Sequence, residues 1–226
     1  MHIEPEVVTG AKLFLSYATA VGAFGLTAKL ALDSIRSNGG VAALALRSLL
    51  TTALVFCFFE VFPHQAVGVS EVHLILGSTL LLLFGAGATA VGLAFGLLLQ
   101  GLLFAQFDLP QYGMNVTTLL LPLWGISLLA KRIIAPGTAY VELSYKQALA
   151  LSATYQGGIV AWVGFWAVYG NGFSGENLAA VGSFGLAYMS VILLEPLVDL
   201  GVLAAAKALS GYSRGPLFNA RLHQPA

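Results

Sequence analysis

The first three residues, Met1-His2-Ile3, carry donor atoms that could hold a metal ion. Histidine at position 2 is too large for efficient removal of the methionine before it, so we expect Met1 to keep a free α-amino group. That amine, the amide nitrogen of His2 and its imidazole Nδ1 can close two fused chelate rings around one ion and leave a fourth planar position open. This set suits an ion that gains from planar nitrogen coordination, which favours nickel(II) or copper(II), with cobalt(II) as a weaker candidate.

The fourth ligand should be another imidazole, and His73 is the best candidate. It begins a predicted helix, HLILGSTLL, so the fold would fix its position. His64 lies in a predicted loop and is the looser alternative. Glu71 could accept a hydrogen bond that orients an imidazole, although we favour its interpretation as a solvated loop acid. A single histidine at a helix start is more often a cap than a ligand, so the prediction depends on His2 and His73 lying together.

The elements that would position these residues are membrane helices. The 226 residues are 58% hydrophobic and 9% charged, against about 25% charged in soluble domains, and the mean hydropathy is +0.86. Ten basic and ten acidic side chains give a formal net charge of zero, so no electrostatic attraction for nucleic acid is expected. The single cysteine, Cys57, offers no disulfide and no cysteine metal site within one chain.

Apolar runs between glycine, proline and charged residues predict an all-α fold, a polytopic bundle of about seven transmembrane helices. The predicted segments are 11–31, 44–62, 73–85, 87–106, 115–134, 147–169 and 178–208. The third is too short to span alone, because a spanning helix needs about 20 residues, and a glycine junction at 85–87 is expected to join it to the fourth. We expect one integral-membrane domain over 1–226, with a metal-capping segment at 1–10, the bundle at 11–208 and a cytoplasmic tail at 209–226.

Basic residues set the predicted orientation. With the N-terminus outside and seven crossings, nine of the ten basic residues fall at the cytoplasmic end, and only Lys12 falls outside. Cytoplasmic loops are enriched in lysine and arginine, so the chain is predicted to be N-out and C-in. His2, His64, His73 and the 107–115 turn then share the external face.

Two acids, Glu195 and Asp199, lie deep in the seventh segment and share one helix face at a spacing of four. Carboxylates are costly inside a membrane and usually face the bundle interior or a polar cavity. We favour a hydrogen-bonded lock to a neighbouring helix; a step on an ion path or a coupling element is the alternative. Pro196 follows Glu195 directly, so a kink is expected there.

Small residues recur at a spacing of four, as in Ala18/Gly22 on the first segment and Gly92/Gly96 on the fourth. Helix backbones approach one another closely at such positions in lipid. We favour packing within the bundle; a face of the first helix that docks another membrane subunit is the alternative.

No enzyme motif is present in the sequence. It contains no G-x-x-x-x-G-K-[ST] phosphate loop, no nucleophile elbow, no H-E-x-x-H and no C-x-x-C. The chain is therefore predicted not to be an enzyme and to need no organic cofactor, and any ATP hydrolysis that drives it must come from other chains.

Four stretches of the chain, in order, resemble the cobalt/nickel substrate-capture components of energy-coupling-factor transporters, the CbiM and NikM family. They are the MHI start, FEVFPHQ, the block from VHLILGSTLL to GMNVTTLLLPL, and ILLEPLVDLGVL. The resemblance covers nearly the whole chain, and the middle block is its most specific part. It implies a metal held by the amine of Met1, the amide and side chain of His2, and His73, with Gly113 and Asn115 packed nearby.

The resemblance also implies the assembly. In such transporters the capture subunit works with a transmembrane coupling subunit, two ATPase subunits and usually a small accessory membrane protein, in the cytoplasmic (inner) membrane of a prokaryote. Glu195 matches a late-helix glutamate of the family. The predicted function is uptake of nickel(II) or cobalt(II), bound externally and released inward, with binding that weakens in acid. The alternative is a structural or accessory membrane subunit that keeps the fold without transport.

Three positions depart from the family's pattern near the predicted metal. Glu4-Pro5-Glu6 replaces a glycine-containing continuation after MHI, Val72 replaces a glycine before the histidine, and Thr118 replaces a second asparagine. All three lie around the predicted metal, so they bear on which metal is bound and how tightly.

Overall fold

The computed structural model describes residues 2–224. Its α-helices are α1 (Leu13–Ser37), α2 (Gly40–Glu60), α3 (Gly77–Phe84), α4 (Ala86–Leu103), α5 (Tyr112–Ile133), α6 (Tyr145–Asn171), α7 (Gly175–Met189) and α8 (Glu195–Ala208). Two strands, β1 (Gln65–Val67) and β2 (Ser70–Val72), pair antiparallel between α2 and α3. Short 3-10 helices cover Gly10–Lys12, Gln106–Gln111, Tyr140–Glu142, Ser190–Leu193 and Ala220–Leu222.

The predicted all-α polytopic bundle is confirmed. Among the described residues, six helical stretches are long and apolar enough to cross a membrane, and the sixth runs from Gly175 to Ala208 through α7 and α8. With the short α3 these make seven helical segments, as predicted. The break between α7 and α8 falls at Ser190–Leu193, directly before Glu195 and Pro196, where a proline was expected to interrupt the helix.

The short α3 crosses the interior of the bundle. At its end, Gly85 adopts a φ of 83°, which favours glycine, and lies against the side chains of Asn38 in the α1–α2 turn and Asn219 near the C-terminus. His73 lies at the opposite end of the bundle, beside the N-terminal segment. The four residues 73–76 and the eight residues of α3 can together cover at most about 25 Å, which is most of the roughly 30 Å hydrocarbon core.

The predicted helix start at His73 is wrong, because α3 begins at Gly77. Residues 73–76 instead form tight turns, in which Ile75 N donates to His73 O (3.1 Å) and Gly77 N donates to Ile75 O (2.7 Å). Strand pairing continues as far as Val72 and holds the backbone extended there. A helix can therefore begin only after the chain has turned into the bundle.

Close packing at glycine is internal for α4. Gly92 and Gly96 lie against Thr51 and Val55 of α2, with no room for a Cβ at either position. Gly22 of α1 has open space where a Cβ would stand, so the Ala18/Gly22 pair does not pack within the described residues. Packing of small residues within the bundle, the interpretation that we favoured, therefore holds for α4 and does not hold for α1.

The predicted cytoplasmic tail packs against the bundle end that lies opposite the histidines. Phe218 stacks on Phe84 of α3 with ring centroids 5.8 Å apart, and Leu222 is fully buried. Arg221 donates to Ile134 O (3.2 Å) at the end of α5. Residues 209–224 therefore cover this end of the bundle, whereas the N-terminal segment and the histidines lie at the other end.

Candidate metal centre

The N-terminal segment lies along the β1–β2 hairpin, an element that the sequence analysis did not predict. Ile3 forms an isolated antiparallel bridge with Ser70. Ser70 Oγ donates to His2 O (2.9 Å), and Glu71 N donates to the same carbonyl (3.1 Å). Because these bonds fix the backbone of His2, its imidazole is held over the end of β2.

Gln111, at the end of the α4–α5 connection, and Asn115, in the first turn of α5, hold the other side of the same segment. Ile3 N donates to Asn115 Oδ1 (2.9 Å), and Gln111 Nε2 donates to Pro5 O (3.2 Å). Asn115 thus lies beside the N-terminal segment, as the resemblance implies. Gly113 packs against the backbone of α1 instead, so it supports the bundle and not the centre itself.

Three side chains meet at the end of the bundle that carries the hairpin. His2 Nδ1 lies 2.8 Å from Glu71 Oε2, and His73 Nε2 lies 2.9 Å from the same oxygen. One ligand atom from each residue lies within 4.8 Å of the other two. His2 is 4% exposed and His73 is 1% exposed. The structure therefore brings His2 and His73 together as expected, whereas Glu71, which we took for a solvated loop acid, contacts both.

Aromatic rings enclose this cluster. The fully buried Phe59 of α2 has its ring centroid 4.9 Å from that of His73 and 5.6 Å from that of His2. The exposed His64 stacks on His73, with centroids 4.8 Å apart and planes 16° apart. Its Nδ1 is directed at Phe62 O (3.3 Å). His64 therefore covers the His73 ring from outside and does not point into the cluster.

Burial sets the charge on the two imidazoles. It lowers the pKa of His73 to about 3 and also lowers the pKa of His2, although the bonds with Glu71 act in the opposite direction. Burial alone would raise the pKa of the Glu71 carboxyl, but hydrogen bonds from His2 and His73 outweigh it and hold that pKa well below its usual range. At neutral pH the cluster thus consists of two neutral imidazoles and one carboxylate.

Gln100 of α4 is a residue that the sequence analysis missed. It interacts with the His2 side chain, and His2 Nε2 and Gln100 Oε1 are both buried without another hydrogen-bond partner within residues 2–224. Gln100 Nε2 donates to Glu60 Oε2 (3.4 Å), which leaves Oε1 free to accept. A histidine that binds metal through Nδ1 carries its ring proton on Nε2 and usually donates it. The signal in the sequence was a lone glutamine within the apolar helix AFGLLLQGLL.

Glu195 and Asp199 lie fully buried in the middle of the bundle. Their hydrogen-bond donors are Ser78 and Thr79 of α3 and Ser152 and Gln156 of α6. The two acids therefore join α8 to both α3 and α6, in the interhelical arrangement that we favoured. Gln156 Nε2 also lies 3.4 Å from Ile75 O, so this polar group reaches the backbone next to the metal cluster.

Glu195→Ala is expected to destabilise the folded protein by about 2 to 4 kcal/mol, because buried donors on α6 lose their acceptor and a cavity is left. Thermal unfolding of the purified protein in detergent should show a midpoint several degrees lower. Glu176→Ala, at an exposed acid in the first turn of α7, is the matched control and should leave the midpoint unchanged. Equal thermal midpoints for the two variants would show that the hydrogen bonds of Glu195 do not stabilise the packing of α8 against α6.

Two neutral imidazoles whose nitrogens face one carboxylate oxygen could hold a divalent transition metal, whereas nitrogen donors do not suit magnesium or calcium. The ligand set predicted from the sequence also includes the amine of Met1, which lies outside the described residues. Cys57, on α2, does not contribute to the cluster.

One family model matches the chain over residues 2–210, and it describes the cobalt uptake substrate-specific transmembrane region, CbiM. No curated protein and no solved structure matches. The matched range includes α1 to α8, the hairpin and all three side chains of the metal cluster. The chain therefore belongs to the CbiM family and is a multi-pass membrane component of cobalt uptake.

Proposed function

We propose that the chain is the substrate-binding subunit of an ATP-driven energy-coupling-factor transporter, and that it captures cobalt(II) or nickel(II) at the cluster described above. The ligands are the Met1 amine, the amide nitrogen and Nδ1 of His2, and Nε2 of His73. One observation carries the proposal: His2 Nδ1 and His73 Nε2 point at the same oxygen atom, at 2.8 and 2.9 Å. Nδ1 is also the ring nitrogen that a chelate built from the terminal amine would use.

The charge state of the centre supports capture at neutral pH. Because the pKa values of both imidazoles are lowered, both rings are already neutral at neutral pH, and neither has to be deprotonated from the imidazolium form before a metal binds. Binding still releases protons from the amine and the His2 amide, so affinity should fall as the pH falls. Gln100 would accept the remaining ring proton of His2 and so hold Nδ1 toward the metal.

Release to the other side requires His73 and His2 to separate. Residues 73–76 connect His73 directly to α3, and the bonds of Glu195 and Asp199 hold α3 against α6 and α8. We propose that a shift of α3 against these helices withdraws His73 from the N-terminal segment. The two acids would then act in coupling by setting the resting position of α3.

ATP hydrolysis by other chains would supply the energy for this shift of α3. We propose a transmembrane coupling subunit and two ATPase subunits as partners, with a small accessory membrane protein. We place the complex in the cytoplasmic membrane of a prokaryote, as for such transporters, and the distribution of basic residues favours an orientation with the metal cluster on the outer side.

The test is to move the terminal amine away from His2. Inserting Ser-Gly-Ser-Gly between Met1 and His2 keeps His2 and every side chain after it but leaves an ordinary peptide nitrogen before the histidine. A shorter insertion would not serve, because one or two added residues still place an amine within chelating distance of the imidazole. Cobalt(II) and nickel(II) affinity of the purified protein should fall by about 10- to 100-fold, as for other losses of metal support.

The matched control is the same four residues added after Ala226. It should bind both metals with the affinity of the natural chain and pass size-exclusion chromatography in the same way. Unchanged affinity in the N-terminally extended protein would refute a role for the amine. If neither metal bound the natural chain, a structural or accessory subunit would be the correct reading.

A further inference from the structure

Glu71 occupies the point toward which both imidazoles are directed. Its Oε2 accepts from His2 Nδ1 at 2.8 Å and from His73 Nε2 at 2.9 Å. We propose that Glu71 is itself a metal ligand, and that its anionic oxygen makes the centre selective for cobalt(II) over nickel(II). This inference rests on the proposed function and names the metal that the same centre prefers.

The distances already match a coordination polyhedron. Imidazole nitrogen and carboxylate oxygen bind first-row divalent metals at roughly 2.0 to 2.2 Å, so two ligand atoms on adjacent corners at right angles lie about 2.9 Å apart. The oxygen of Glu71 stands at that separation from both nitrogens. A metal could therefore bind all three atoms after small shifts, with the ring proton of each neutral imidazole moved to its other nitrogen, Nε2 in His2 and Nδ1 in His73.

The hairpin fixes the position of this carboxylate. Glu71 pairs with Ala66 across the two strands, and its own N–H donates to the carbonyl of His2 (3.1 Å). The backbone of Glu71 is thus hydrogen-bonded to the backbone of His2, so two proposed ligands are held at a fixed separation. Since the side chain is 28% exposed, Glu71 lies on the side from which an ion would reach the buried imidazoles.

The charge balance also favours direct ligation. A divalent ion bound to one deprotonated amide and two neutral imidazoles keeps one net positive charge, and both imidazoles are almost fully buried. A buried charge without a partner is strongly disfavoured. The Glu71 carboxylate cancels that charge at bonding distance, so no other anion is needed.

The choice of metal follows from coordination number. Four nitrogens in a plane favour nickel(II), which gains from square-planar geometry. An oxygen ligand outside that plane raises the coordination number to at least five and removes this gain, whereas cobalt(II) accepts five or six ligands readily. Nickel(II) generally binds more tightly than cobalt(II) to the same donors, so a preference for cobalt(II) requires that the Glu71 oxygen cost nickel(II) more than this advantage.

The test compares the two metals in one variant. Glu71→Gln keeps the size of the side chain but removes its charge and most of its ability to bind a metal. Cobalt(II) affinity of the purified full-length protein should fall by about 30-fold, nickel(II) affinity should fall less, and the nickel-to-cobalt affinity ratio should rise about tenfold. The nickel(II) complex should change from paramagnetic in the natural chain to diamagnetic in the variant.

Two further variants separate ligation from charge. Glu71→Asp keeps the charge but withdraws the oxygen by one methylene, and it should weaken cobalt(II) nearly as much as Glu71→Gln. Glu4→Gln removes a nearby acid of the N-terminal segment that does not belong to the cluster, and it should leave the nickel-to-cobalt ratio unchanged.

The inference is overturned if Glu71→Gln leaves the ratio and the nickel spin state as they were, or if Glu71→Asp binds cobalt(II) like the natural chain. Equal weakening of both metals would also overturn it, because Glu71 would then only orient the imidazoles. Failure of the proposed function looks different. In that case His2→Ala and His73→Ala would bind both metals normally, whatever Glu71→Gln does.

Discussion

Replacing His73 with alanine is expected to weaken cobalt(II) binding by at least about 100-fold, the upper end of what loss of an outer-shell partner costs. His73 Nε2 lies 2.9 Å from the Glu71 oxygen that also contacts His2. The side chain is 1% exposed, and the Phe59 ring packs against it, so neither solvent nor a neighbouring donor can replace the lost nitrogen. Equilibrium dialysis of the purified protein against cobalt(II) measures the change.

His64→Ala is the matched control, because it removes an imidazole of the same size from the same end of the bundle. The ring is exposed and stacks on His73 from outside, and such an aromatic contact contributes about 0.5 to 1.5 kcal/mol. Cobalt affinity should therefore change by less than about tenfold. The reverse pattern, with a large loss in His64→Ala and a small one in His73→Ala, would identify His64 as the ligand instead.

The long helices could be predicted because a helix in lipid satisfies its own backbone, so apolar length is sufficient information. The predicted segments 87–106 and 147–169 correspond to α4 (Ala86–Leu103) and α6 (Tyr145–Asn171). The same reasoning failed at residues 73–76. Three apolar residues after His73 continue the pattern of a helix, and only the strand pairing of the preceding residues prevents one from forming there.

The hairpin left little trace in the sequence. Each strand has three residues, too few for an alternating pattern to stand out between two strong helix signals. Gly68, at a φ of 62°, was the one local sign of a turn in QAVGVSEV. Its backbone lies against Ala180 of α7, with no room for a Cβ, and this contact fixes the hairpin only in the folded bundle.

The role of His2 could be inferred from its position in the chain, whereas the contacts of Glu71 and Gln100 depended on tertiary packing. His2 could be identified from its place beside the terminal amine. Glu71 could not, because an acid in a short loop has the same sequence context whether it faces water or an imidazole. Gln100 follows Gly92 and Gly96 at the same spacing of four, on the face of α4 that packs against α2. Its contact with His2 therefore depends on how closely those two helices approach.

Gly170→Ala is expected to lower cobalt affinity by at least about 100-fold while the bundle stays folded. Gly170 lies in the last turn of α6, and a Cβ there would overlap Val7 O, a backbone atom that no side-chain rotation can move. The N-terminal segment must shift, and it carries every ligand that Met1 and His2 supply. Alanine is preferred over glycine in a helix by about 1 kcal/mol, which offsets part of the cost of moving the buried Val7 and Val8, so the thermal midpoint should fall only slightly while binding is lost.

Gly164→Ala provides the matched control on the same helix. An added Cβ at Gly164 would lie 3.4 Å from Val181 Cγ1, an ordinary van der Waals contact. The variant gains the same helix preference but leaves the N-terminal segment in place, so cobalt affinity should not change. Loss of binding in both variants would assign the effect to α6 itself. Normal binding in Gly170→Ala would contradict the prediction. It would mean that the hydrogen bonds of His2 with Ser70 and Glu71 hold the ligands in place even when Val7 is displaced.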